Sequence, residues 1–240
     1  MKISPLIIYG KHAAVAALSN PMRKIKRVLV TKNTRDELGE KHFSGCKNVI
    51  LTESKKLDDL LPREAVHQGI ALECEPISQP SLQEWLAAEH NKPVLILDQV
   101  SDPHNVGAIL RSAAAFDAGA LIVTDRNAPA ESGVMAKTAS GALEIIPLIA
   151  VGNLVQTIEL LKKSGYWIYG LDGEAKQTIT EVKMDIKTAL VLGAEGRGLR
   201  RLTGEHCDVL VRLPISSKME SLNVSNAAAI ALYELYRQIS

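Results

Sequence analysis

Three polar segments in the second half of the sequence carry residue types able to grip a ligand. The first runs Leu97-Asp98-Gln99-Val100-Ser101-Asp102-Pro103-His104-Asn105-Val106-Gly107-Ala108-Ile109-Leu110-Arg111-Ser112. An apolar run stops, a polar turn follows and a helix starts, with Asp102 and Pro103 suited to its cap and first turn. Val106, Ile109, Leu110 and Ala113 form the buried stripe of that helix. Arg111 shares a face with His104, Gly107, Ala108 and Ala115, so small neighbours leave room beside its guanidinium. A planar fork of donors in that position suits a phosphate or a ribose. Without a ligand, Arg111 is a surface residue in a structural ion pair and His104 a turn residue.

The second segment is Gly193-Ala194-Glu195-Gly196-Arg197-Gly198-Leu199, directly after an apolar strand. Its glycines permit a tight turn and close approach of backbone to a ligand. The order is neither G-x-G-x-x-G nor a Walker loop, and no acid sits at the distance that captures a ribose in dinucleotide enzymes. Glu195 needs a partner if it is hidden, so it is expected to face a cleft or a cation. The third segment is Leu213-Pro214-Ile215-Ser216-Ser217-Lys218-Met219-Glu220-Ser221-Leu222-Asn223-Val224-Ser225-Asn226. Here a strand meets a proline, a polar loop and an Ala-rich helix that Ser221 or Asn223 could cap. The alternative to capping is a loop whose backbone polar groups hold a base.

The elements around these segments imply an α/β protein. Apolar runs at 94–97, 120–123, 143–146, 166–169, 189–192 and 209–213 read as strands. Helical stretches at 106–116, 132–140, 154–164, 199–205 and 224–239 lie between them. Such alternation predicts a parallel sheet covered on both faces, with ligand sites at the carboxyl ends of its strands. Ahead of it, helices at 11–18 and 54–61, the latter capped by Ser54, and strands at 27–31, 49–51 and 69–74 make a small α/β module. The stretch Glu75-Pro76-Ile77-Ser78-Gln79-Pro80-Ser81 marks a break, with a short helix from Leu82 to His90 after it. The predicted division is a front domain 1–77, a linker 78–92 and a second domain 93–240.

Bulk properties narrow the function classes. The 240 residues are 46% hydrophobic but only 4% aromatic, so the core is aliphatic and a stacking platform for long single-stranded nucleic acid is disfavoured. A formal charge of +1 hides an asymmetry, because Lys2, Lys11, Arg23, Lys24, Lys26, Arg27, Lys32 and Arg35 all precede the first acid, Asp36. The front domain is suited to hold a polyanion, with Arg23, Lys24, Lys26 and Arg27 as expected phosphate contacts. A solvated basic face is the other reading of that run. Cys46, Cys74 and Cys207 are far apart and form no C-x-x-C pair, so inert reduced thiols are expected rather than disulfides or a metal site. No signal peptide and no apolar run of membrane-spanning length is present, and a cytoplasmic protein with no membrane or metal partner is expected.

In this order and spacing the three segments closely resemble the three motifs of the SpoU (TrmH) family of SPOUT RNA methyltransferases, over residues from about 93 to 240. The front segments Ile8-Tyr9-Gly10-Lys11-His12-Ala13-Ala14-Val15 and Val66-His67-Gln68-Gly69-Ile70-Ala71 resemble the ribosomal-protein-like RNA-binding domain of many members. The resemblance implies a C-terminal trefoil knot, S-adenosylmethionine as methyl donor, and a homodimer built by the knotted domains. It also implies ribose 2′-O-methylation of RNA, most similar to members acting on a guanosine of 23S ribosomal RNA. Asn105 and Arg111 match the polar residues of the first motif, Gly193 and Glu195 the second, and Ser221, Leu222 and Asn223 the third. Leu213, Gly193 and Leu222 fall where members touch the cofactor, and Ile215 and Met219 are expected as apolar walls for its adenine. Lys218 and Glu220 depart from the smaller, glycine-containing residues of many relatives, which bears on the shape of the cofactor rim.

The nucleophile is the chemical difficulty, because a ribose hydroxyl is weakly acidic. Arg111 is expected beside the target ribose, with Asn105, Glu195 and Asn223 orienting it and the local backbone. A free guanidinium titrates near about 12.5–13.8, so neutralising one at pH 7 costs roughly 7–9 kcal/mol. A charged Arg111 that stabilises developing alkoxide and clamps a phosphate is therefore preferred to Arg111 as the base. A transfer-RNA methyltransferase of the family and a non-catalytic RNA-binding relative remain open, and a dinucleotide enzyme is disfavoured by the glycine order.

Overall fold

The computed structural model describes residues 6–126 and 128–240, so Lys2 of the basic run lies outside the described residues. The chain forms two compact units that are discontinuous in sequence. One holds the residues up to Ser78 together with Ala130–Ile145, and the other holds Gln79–Pro129 with Ile146–Ser240.

In the first unit, β1 (Leu6–Tyr9), β2 (Ile25–Val30), β3 (Val49–Leu51) and β4 (Ile70–Cys74) form one sheet in the order β1-β4-β2-β3. β4 runs antiparallel to β1 and β2, and β3 runs parallel to β2. The intervening helices are α1 (Lys11–Ser19), α2 (Lys32–Leu38) and α3 (Ser54–Leu60). Sequence periodicity predicts neither β1 nor α2. α2 begins because the Thr31 hydroxyl accepts from the Thr34 N–H, a local cap with no long apolar pattern behind it. Ser54 is not the cap of α3: Glu53 occupies that position and makes no side-chain cap bond.

The second unit begins with α4 (Leu82–Ala87), started by a reciprocal Ser81–Glu84 capping box. Leu82 and Trp85 are buried in a core with Val94, Ile122, Ile149, Ile158, Ile168 and Val191. The segment after Ser78 is thus packed rather than free. Along the chain follow β5 (Val94–Asp98), α5 (Pro103–Ala115) and β6 (Ala120–Thr124). α6 (Gly133–Ala139) belongs to the first unit, and β7 (Leu148–Val151) and α7 (Leu154–Lys163) return to the second. β8 (Trp167–Leu171), β9 (Gln177–Thr178), β10 (Thr188–Gly193), α8 (Arg201–His206), β11 (Val209–Arg212) and α9 (Val224–Ile239) complete it.

Seven parallel strands in the order β7-β6-β5-β10-β8-β11-β9 make the sheet. β5 and β6 are buried at every residue, as strands covered on both faces must be. Each buried Val, Leu or Ile there contributes about 1.5–3 kcal/mol relative to exposure. The strand expected at 143–146 is instead a 3-10 turn, Ala142–Glu144, and the strand starts after Pro147. A short apolar run is ambiguous by itself, and here Leu143 and Ile146 are buried without forming a strand while Ile145 stays exposed. Asp102 caps α5 by accepting from the His104 N–H, with Pro103 in its first turn, as the sequence predicts. Burial raises the Cys74 and Cys207 thiols to about 12, which keeps both protonated at neutral pH. Among the described residues no helix is long and apolar enough to cross a membrane and no His, Cys, Asp and Glu cluster suits a metal.

One expectation for the front module is overturned. Arg23 does not offer its charge to a polyanion, because its side chain is fully buried between Glu131 and Glu144. Its Nη1 also donates to the Glu75 carbonyl at 3.0 Å, and its Nε to Glu144 at 3.2 Å. Burial works against the Arg23 charge, but the hydrogen bonds and charges of the two glutamates outweigh it and raise its pKa. Burial likewise pushes the Glu131 carboxyl up, against the pull of Arg23. Both acids come from Ala130–Ile145, so this triad fastens the distant segment into the first unit. Arg27 pairs with Glu73, and Lys24 and Lys26 face Glu75 at 3.8 and 3.6 Å while staying largely exposed. Arg23→Ala strands two buried carboxylates and should cost about 3–5 kcal/mol in urea unfolding, whereas Lys24→Ala should change stability by less than about 0.5 kcal/mol. Equal small losses for both would contradict the clamp.

Candidate active site

Parallel strands deliver all their carboxyl ends to one edge, and four of the loops leaving that edge build the site. They follow β5, β8, β10 and β11. The loop after β10 is the tightest. Gly193 pairs in register with Asp98 of β5, and Gly198 donates its N–H to the Ala194 carbonyl at 2.9 Å. Gly196 and Gly198 adopt φ of 73° and 63°, which favours glycine, and a Cβ on Gly193 would lie 2.0 Å from the Gly198 carbonyl carbon.

This turn projects Glu195 onto the helix starts of two other segments. Asn105 Nδ2, in the first turn of α5, donates to Glu195 Oε1 at 3.1 Å. Asn223 Nδ2 donates to the same oxygen and, at 3.0 Å, to Asn105 Oδ1. The Val224 backbone N–H adds a further bond to Oε1 at 3.3 Å. Asn223 also caps α9 by accepting from the Ser225 N–H at 2.9 Å. Glu195 is exposed rather than hidden, and its partners are two amides and a backbone N–H rather than a cation.

Beside this hub lies a cavity of about 410 Å³. Of the residues predicted from sequence, Gly193, Glu195, Leu213, Ile215, Ser221 and Leu222 line it. Asn105 and Asn223 do not line the cavity but are hydrogen-bonded to Glu195, which does. Met219 is 62% exposed and is not among the lining residues, so its expected role as an apolar wall has no support in this geometry. Arg111 lies six residues beyond Asn105 on α5, about 9 Å along the axis at 1.5 Å per residue. It is exposed and has no side-chain partner among the described residues.

Sequence reasoning missed the end of β8 and the loop after it, where Leu171, Asp172 and Glu174 join the lining. The signal available was a polar Asp-Gly step directly after an apolar strand. Asp172, Glu174, Glu195 and Glu220 face the cavity against one base, Arg197, over walls that include Leu171, Leu192, Leu213, Ile215 and Leu222. Apolar walls with a negative rim suit an amphipathic ligand that carries positive charge.

Comparison with known proteins bears on this arrangement. Residues 92–233 match the SpoU rRNA Methylase family, and residues 7–80 match the RNA 2′-O ribose methyltransferase substrate-binding family. The chain belongs to the SpoU methylase family. Within the family it is 39% identical over 239 residues to the 23S rRNA (guanosine-2′-O-)-methyltransferase RlmB of Pseudomonas aeruginosa, covering 96% of each chain. It is also 39% identical over 240 residues to RlmB of Escherichia coli K12, covering 98% of this chain and 99% of that protein. Among solved structures, the SpoU methyltransferase AviRb from Streptomyces viridochromogenes, in complex with AdoMet, superposes with a TM-score of 0.80. That match has 23% identity and covers 98% of this chain and 90% of AviRb. The A. aeolicus TrmH/SpoU tRNA modifying enzyme matches 65% of this chain and 81% of its own, at 27% identity and a TM-score of 0.55.

Gly193→Ala tests whether the turn must be this tight for a SpoU family member. The added methyl meets backbone that cannot swing aside, and a loss of at least about 1–3 kcal/mol in thermal or urea unfolding is expected. Gly173→Ala meets nothing within 4 Å and serves as the comparison, with stability close to the parent. A Gly193→Ala protein as stable as Gly173→Ala would refute the close approach.

Proposed function

We propose that this protein transfers a methyl group from S-adenosylmethionine to the 2′-hydroxyl of a guanosine in 23S ribosomal RNA. The observation that carries the reading is the Glu195 hub, which joins the three motif segments beside a cavity with apolar walls and a negative rim. Near-full-length similarity to RlmB proteins supports the ribosomal substrate. The tRNA modifying enzyme, by contrast, matches only 65% of the chain.

The cavity fits the donor in size, polarity and sign of charge. S-adenosylmethionine supplies an electrophilic methyl group on a positively charged sulfur. Gly193, Leu213 and Leu222 would hold it, with Ile215 against the adenine and the carboxylates of Asp172, Glu174 and Glu220 favouring its positive groups. Glu195 fixes the Asn105 and Asn223 amides, and Ser221, which lines the cavity, would meet the incoming ribose. Arg111, exposed on α5 and without a side-chain partner among the described residues, would clamp an RNA phosphate and stabilise negative charge growing on the ribose oxygen. The proton then passes to phosphate or water.

The front unit is the reading's RNA-holding part, in agreement with the substrate-binding family that it matches. With Arg23 internal, the bases left for RNA there are exposed ones such as Lys24 and Lys26. The working protein is read as a cytoplasmic homodimer joined through its second unit. Support comes from α9, where Ile230, Tyr233 and Tyr236 are 41–55% exposed, and where Phe116, directly after α5, meets Tyr233 edge-on and Tyr236 at a tilt, with ring centroids 5.9 and 5.8 Å apart. The strand order β5-β10-β8-β11, with α9 packed back on α5, accords with a trefoil-knotted C-terminus.

The test is incubation with labelled S-adenosylmethionine and unmodified 23S ribosomal RNA or bulk transfer RNA, followed by mapping of 2′-O-methyl positions. One guanosine in ribosomal RNA should become methylated. Arg111→Lys should lose at least about tenfold in turnover with donor affinity kept, because a point charge cannot replace the planar fork. Near-normal turnover by Arg111→Lys would refute the clamp, and label only in transfer RNA would refute the ribosomal substrate.

A further inference from the structure

A separate cavity of about 480 Å³ opens at the same carboxyl edge of the second unit's sheet, where β6 and β7 end and α8 begins. Three arginines line it, Arg126, Arg200 and Arg201, and among the described residues no acid does, although the Asp125 carboxylate stands beside Gly152 at its edge. Arg126 is exposed, and no described residue pairs with its side chain. Arg200 is held from below. Its Nε donates to Asp98 Oδ1 at 2.6 Å, and its backbone N–H donates to Asp98 Oδ2 at 3.1 Å. The Asp98 side chain is wholly buried at the end of β5, while that of Arg200 stays 47% exposed.

This geometry spends one edge of the Arg200 guanidinium on a buried anchor and leaves its outer nitrogens for the cavity. An arginine fixed in this way loses little freedom when it binds an anion. Arg201 keeps spare donors as well, because Glu205 engages only its Nη1 one helical turn away. The start of α7 adds little, since Asn153 already accepts from the N–H groups of Val155 and Gln156. The site therefore rests on the arginines. Arg200 stands five residues after Glu195 on one loop, a reach of at most about 17 Å.

We propose that the Arg126–Arg200–Arg201 cavity is a phosphodiester subsite for the substrate RNA, holding backbone that flanks the methylated nucleotide. Asp98 is the positioning residue that aims Arg200 into it. The proposal rests on the reading of the protein as an RNA methyltransferase and adds a contact that lies outside the three motif loops' cavity.

The experiment measures binding of unmodified 23S ribosomal RNA to the full chain across a salt series, beside methyl transfer to the same RNA. Arg126→Gln and Arg126→Gln/Arg201→Gln should weaken RNA binding about tenfold or more at low salt. Each lost contact should lower the slope of log affinity against log salt by about 0.7–0.9. Donor affinity and turnover at saturating RNA should match the parent, and Arg126→Lys should recover most of the slope. Unchanged affinity, KM for RNA and slope in the double variant overturn the subsite even if the parent methylates RNA normally. A reduced slope in a protein that binds but never methylates RNA would uphold the subsite and overturn the activity. No RNA binding by the parent would overturn both.

Discussion

One carboxylate oxygen organises the candidate site. Glu195 Oε1 accepts from Asn105, from Asn223 and from the Val224 backbone, joining residues 90 and 28 positions away in sequence. Charge-assisted bonds of this kind are roughly twice as strong as neutral ones. They orient both amides, and Asn223 in turn fixes the first turn of α9. The arrangement depends on the parallel sheet, because only strands running the same way bring their carboxyl ends to one edge. It depends equally on Gly193, whose missing side chain lets the turn fold back on itself before it presents the acid.

Charge in the sequence and charge on the surface are different quantities here. The basic run before Asp36 is the strongest compositional signal for a polyanion, yet Arg23 is consumed by Glu131 and Glu144 inside the first unit. The two acids come from a segment more than one hundred residues later, which no local count could pair with it. Removing one member of a buried group of this type leaves the others uncompensated, so the triad ties the later segment to the first unit. Exposed arginines gathered in one cavity instead lie in the second unit, at the sheet edge that also carries the site.

What was legible in the sequence follows from the range of the responsible physics. Continuous apolar runs gave the buried strands β5, β6 and β10, and Asp102-Pro103 gave the start of α5, because burial and capping act locally. Motif order located Glu195, Asn105 and Asn223, but their mutual bonds appear only in three dimensions. α2 was hidden because a single threonine cap starts it, and 143–146 misled because its apolar residues serve a turn. Met219 is expected at the same wall as Ile215 and Leu222, but it is 62% exposed and does not line the cavity that they line. Asp172 and Glu174 went unseen because acids after a strand carry no signature until the neighbouring loops are placed.

Everything functional follows from the claim that the Glu195 carboxylate holds three loops together as one donor pocket. Calorimetric titration of S-adenosylmethionine into the parent and into Glu195→Ala tests it most directly. Saturable binding of one molecule per chain by the parent, weakened by about tenfold or more in the variant, is the predicted result. Equal affinity in the two proteins, or no binding by either, would contradict it.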